Sequence, residues 1–144
     1  MKASTIVMMA GGAIAVACLF FAWGVFSVYE SSPIEYNSWE MREIFTDSDS
    51  AVSKIATFAP PFIFVFGVGM IIEPIIGELK PEAYRDSFGK WMIFNGVVIL
   101  GFTVIALFAV CDQPAIDIGY ALYLEFAAAA IVLFGAYLDR KATV

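Results

Sequence analysis

Four stretches of this chain, residues 5–28, 55–76, 91–110 and 120–138, contain no Asp, Glu, Lys or Arg apart from one glutamate each in the second and fourth. Each is close to the roughly 20 residues that a helix needs to cross a ~30 Å hydrocarbon layer at 1.5 Å per residue. Uncharged runs of that length leave few alternatives, because lipid forces the backbone to satisfy its own hydrogen bonds. The whole chain is 61% hydrophobic and 15% charged, against about 25% charged in a soluble domain. The expected fold is an all-α integral membrane protein, a single domain over residues 1–144. Its four transmembrane helices form an antiparallel up-down bundle, joined by an outer loop 29–54, an inner loop 77–90 and an outer loop 111–119.

The first block begins Met-Lys and holds AIA and AVA, patterns of small residues that resemble cleavage sites, with Cys18 in a lipoprotein-like AVAC. The apolar run continues past it as LFFAWGVFSV, so the block reads as an uncleaved span. Basic residues near helix ends resist translocation and set orientation. Lys2, Lys80, Arg85, Lys90, Arg140 and Lys141 fall on one side and only Arg42 and Lys54 on the other. Both termini are therefore expected in the cytoplasm, in a multi-pass protein of the cell membrane.

That orientation sorts the acids as well. Glu30, Glu35, Glu40, Glu43, Asp47, Asp49, Asp112 and Asp117 lie outside, so the chain's net charge of −6 is a property of its outer face. An acidic face speaks against nucleic acid and anionic headgroups as partners. It suits a basic partner or bound cations.

The longest polar segment contains NSWEMREIF. Asn37 is placed to cap a short amphipathic helix, and Glu40 three residues on completes a capping box. Met41, Ile44 and Phe45 fall at i, i+3 and i+4 as one apolar stripe, next to Trp39. Such a helix lies on the bilayer surface, covers the outer end of the bundle, or meets a partner through Trp39, Met41, Ile44 and Phe45. The following DSDS turn fails as a calcium loop, because Val52 and Phe58 stand where a glycine and a glutamate are needed. Pro81 and Gly89 are placed to start and stop a short helix in the inner loop.

The chain has no histidine and no CxxC pair, and its two cysteines, Cys18 and Cys111, lie too far apart along their helices to pair. It has no glycine-rich phosphate loop. No cofactor, metal site or catalytic residue is expected. The polar candidates are instead within the spans. Glu73 sits three residues before the inner end of its block and is followed by Pro74, where the helix is expected to end or kink. Asn95 lies at matching depth on the next block, so a Glu73–Asn95 hydrogen bond is expected. Glu125 lies five residues inside the last block, where nothing in the sequence ends the helix. It must face the protein interior, with Thr57, Thr103 and tyrosine hydroxyls as expected partners. Glu73, Asn95, Thr103 and Glu125 are thus the candidate proton-handling or packing groups. Trp23, Tyr29, Trp91, Tyr120 and Tyr137 at the block ends read as interfacial anchors.

The layout, with both ends inside, a longer first outer loop and a short second one, is similar to that of claudin-type four-helix proteins. Their first-loop motif, a tryptophan followed by Gly-Leu-Trp and two cysteines, is missing: Trp39 stands alone in a loop without cysteine. Membership does not follow. The expected function is non-enzymatic association, as an accessory or structural subunit of a membrane assembly. The alternative is a small oligomeric proton- or cation-coupled transporter or channel that uses Glu125 and Glu73. The expected partners are the lipid bilayer and another membrane protein or further copies of the chain.

Overall fold

The computed structural model describes residues 1–27, 32–80 and 88–142. It is mostly helical, and three of its helices are long and apolar enough to cross a membrane. In chain order the elements are α1 (Ala3–Cys18), β1 (Gly24–Phe26), β2 (Ile34–Tyr36), α2 (Ser38–Asp47), α3 (Ala51–Ala56), α4 (Ala59–Leu79), α5 (Phe88–Cys111), β3 (Ile116–Ile118) and α6 (Tyr120–Ala142). Helix α1 packs on α6 and α4, and α5 packs on the same two helices, so the four long helices close into a ring. The short inner-loop helix expected from Pro81, together with Tyr29 and Glu30, lies outside the described residues.

The first apolar block is not one helix. Helix α1 stops at Cys18, and its last carbonyls are taken by tertiary donors. The Trp23 indole N–H donates to the Cys18 carbonyl at 3.1 Å, while Ser38 gives both its hydroxyl (2.7 Å) and its amide (3.1 Å) to the Leu19 carbonyl. Residues 24–26, expected in the span, form β1 instead. This strand pairs antiparallel with β2 on one side and β3 on the other, Gly24 opposite Tyr36 and Ile118, Phe26 opposite Ile34 and Ile116. Trp23 is fully buried, so it is a core residue and not an interfacial anchor. Tertiary hydrogen bonds have overridden a weak local preference. Gly119 is required by this arrangement, since a Cβ there would run into the Ala22 carbonyl.

The second block shows the opposite departure. Pro60 and Pro61 occupy the first turn of α4, where their missing N–H groups would have been unpaired anyway. The helix then continues through Pro74 to Leu79 and does not end at Glu73. Pro74 is buried among neighbouring helices, and packing offsets the one backbone bond it removes.

Helix α2 carries the expected capping box: Asn37 Oδ1 accepts from the Glu40 amide at 2.9 Å, and Glu40 Oε1 accepts from the Asn37 amide at 3.1 Å. With α3 and the three-stranded sheet it covers one end of the ring. Arg42 donates to the Thr57 carbonyl (2.8 Å) and Gln113 to the Ser53 hydroxyl (3.1 Å), which ties this cap to α3 and to the connection before β3. At mid-height Gly12 of α1 lies directly against the Gly67 carbonyl of α4.

Candidate functional site

Buried polar side chains are costly unless satisfied, so the places where this core keeps them are where function is sought. Helix α5 presents residues 91, 95, 99 and 103 at four-residue intervals along one face. Asn95 and Thr103 on this face are buried, and the eight residues between them correspond to about 12 Å of helical rise.

The lower polar layer is built around Glu73. Its Oε2 accepts from the Asn95 Nδ2 at 2.7 Å, the contact expected from matching depth. Its Oε1 accepts from the Trp91 indole N–H at 2.9 Å. Trp91, expected only as an interfacial anchor, stands four residues before Asn95 and so shares its helix face, the signal in the sequence for this contact. Asn95 is 1% exposed, and its Oδ1 has no partner among the described residues. Near the same end of the ring Ser4 donates to Asp139 at 3.1 Å, and the Lys2 amide donates to Glu78 at 2.6 Å.

The upper polar layer holds Glu125. Gly96 of α5 lies against Leu133 and Val132 of α6. Seven residues up α5 and seven to eight back along the antiparallel α6 bring Thr103 and Glu125 to one level. The carboxyl is 0% exposed and neither oxygen has a hydrogen-bond partner among the described residues. The two threonines expected as its partners are engaged elsewhere. The Thr103 hydroxyl donates to the Ile99 carbonyl (2.6 Å) and the Thr57 hydroxyl to the Lys54 carbonyl (2.6 Å), both bonds within their own helical turn. A hydroxyl near its own i−4 carbonyl bonds locally at little cost in ordering.

The two layers do not connect. Between them lie Ile99, Ala15, Gly12, Gly67, Ala128 and Ala129, and among the described residues none of the buried polar side chains sits at that height. Asn95 and Thr103 share a face yet belong to separate sites.

The third candidate region, α2, resolves into two parts. Met41 and Phe45 are fully buried in the protein's own core, so they are not available to a partner. Ile44 and Trp39 are partly buried against the same core, and the Trp39 ring meets Phe20 and Phe64, each with centroids 6.5 Å apart. The apolar stripe of α2 therefore faces inward, and the surface it leaves outside is acidic. Cys18 is buried and Cys111 exposed, both as free thiols. The sequence matches no protein-family model and no curated protein.

Proposed function

We propose that this is a four-span membrane protein that acts by association, as an accessory or structural subunit of a membrane assembly, with no chemistry of its own. In this reading α1 and residues 19–23 supply the first span, both termini are cytoplasmic, and the sheet with α2 and α3 forms an outer cap. The basic residues near the helix ends support that orientation.

The observation that carries the proposal is the cap itself. Segments that could have been short solvated loops are held as a three-stranded sheet and two helices, fixed to the ring by Trp23, Ser38, Met41 and Phe45. The order of strands is β2-β1-β3, so β2 offers a free edge, with Ile34 48% exposed and Glu35 beside it. Glu40, Glu43, Asp47, Asp49, Asp112 and Asp117 belong to the same end of the chain's path. A rigid acidic platform with an open strand edge suits a basic protein surface, since complementary charge selects partners and a pre-ordered face costs little entropy to dock.

The test is purification of the full-length chain from its native membrane into nanodiscs, followed by mass determination and identification of what comes with it. A stoichiometric basic partner that is lost from a Glu35→Lys/Glu43→Lys protein is the expected result. A partner that stays bound to that variant, or a bare monomer, would sink the proposal.

The orphaned carboxyl of Glu125 favours a second reading, an oligomeric proton- or cation-coupled transporter. Glu125→Gln protein in proteoliposomes would then lose flux while keeping its fold. The apolar layer between the two polar ones weighs against a continuous path through a single copy.

A further inference from the structure

The geometry points to a binding site for an amphiphilic ammonium compound on the membrane face of α4 and α5, with Glu73 and Trp91 holding the charged head and a row of phenylalanines holding the tail. This goes beyond the association proposed above and involves a different surface.

Among the described residues the Glu73 carboxylate has no cationic hydrogen-bond partner. Both oxygens of Glu73 are held by N–H donors, Trp91 Nε1 at 2.9 Å and Asn95 Nδ2 at 2.7 Å, and neither donor is a cation. Such donors fix the direction of the carboxylate and bring no positive charge to it. A negative charge within a span calls for a positive counterpart. Beside Glu73 the buried Oδ1 of Asn95 has no hydrogen-bond partner among the described residues. Gly69, one turn before Glu73, puts only a hydrogen beside the carboxylate, which lies 3.5 Å from where a Cβ would be.

What surrounds the carboxylate narrows the ligand. Trp91 is 49% and Phe94 48% exposed, and their rings stack with centroids 5.4 Å apart and 25° between planes. A carboxylate beside a half-exposed indole is the pairing that recognises ammonium groups, by charge and by cation–π attraction together. From Phe94 the aromatic row continues away from the charge. Phe94 meets Phe66 edge-on at 6.0 Å, Phe66 stacks on Phe62 at 6.3 Å, and Phe62 stacks on Phe102 at 5.0 Å. From Glu73 to Phe62 the helical rise is about 16 Å. An acid at one end of an aromatic track matches a molecule with a cationic head and an apolar tail. The ammonium group can belong to a lipid headgroup or to a free lipophilic amine.

The experiment uses the full chain in dodecyl maltoside, titrated with 2-bromohexadecylammonium and separately with uncharged 2-bromohexadecanol. Bromine quenching of Trp91 is read as the difference from a Trp91→Phe protein. The ammonium probe is expected to quench at about tenfold lower concentration than the alcohol. That preference is expected to vanish in Glu73→Gln and to persist in Glu43→Gln. Equal quenching by the two probes in the unaltered protein overturns the proposal without any variant, and so does a preference that survives Glu73→Gln. Adding phosphatidylethanolamine or phosphatidylglycerol then separates the sources. Displacement by the former alone identifies a lipid headgroup as the occupant. No displacement by either identifies a free amphiphile, and equal displacement by both overturns the proposal.

Discussion

Glu125 and Glu73 are both single acids in apolar helices, and their surroundings give them opposite characters. Glu73 has an N–H group on each oxygen and is only partly buried, whereas Glu125 has no partner among the described residues and no exposure. An unpaired buried polar group costs about 1–3 kcal/mol, and removing it altogether recovers that cost. Glu125→Leu is therefore expected to raise stability by about 1–3 kcal/mol, read as an increased melting temperature in detergent. Glu125→Gln is expected to give no such gain, because the amide stays unpaired. A destabilised Glu125→Leu protein would show that the carboxyl holds a contact the core depends on. The Glu73–Asn95 bond was legible in the sequence because helical rise fixes depth, and two polar residues at one depth on adjacent helices find each other. Partners for Glu125 were not legible. Depth alone cannot tell that Thr103 and Thr57 satisfy themselves on their own turns.

At the level of elements, the helices were readable from charge-free runs and the strands were not. Each strand is three residues long. That is too short for alternation to register, and β1 is hidden within an apolar block where length alone argued for helix. What ends α1 is a set of donors 5 and 19 residues further on, Trp23 and Ser38. Capping was legible where it is local, as in the Asn37–Glu40 box, and hidden where it is tertiary. The tightest element contact is that of Gly119 with the Ala22 and Trp23 backbone. Gly119→Ala is expected to destabilise the protein by about 2–3 kcal/mol through forced separation of β3 from the end of α1. A thermal melt checks this, and an unchanged midpoint would show that the sheet yields without cost.

For the whole molecule, orientation is the property on which the acidic cap depends. Its two cysteines supply a reporter. Cys111, at the cap end of α5, is exposed, and Cys18 is buried. In intact cells a membrane-impermeant maleimide is expected to label the protein, and Cys111→Ser is expected to abolish the label. Labelling that appears only after permeabilisation would place the cap and its acids in the cytoplasm and reverse the proposed topology. The fold needs no disulfide to hold that end together, because the sheet does so by hydrogen bonding.

That sheet also sets a timetable. Its central strand, β1, is made early in synthesis, but one of the two strands that flank it, β3, emerges only after α5 is complete. Until then β1 has one open edge, and the segment leading into it lacks the bonds that the Gly119 and Ala121 amides give to the Trp23 and Ala22 carbonyls. Pairing so distant in sequence forms late and slowly. In the proposed topology the chain therefore crosses the bilayer three times before its outer cap is complete. A partner that reads the cap would then meet only chains in which α5 and β3 have already been made.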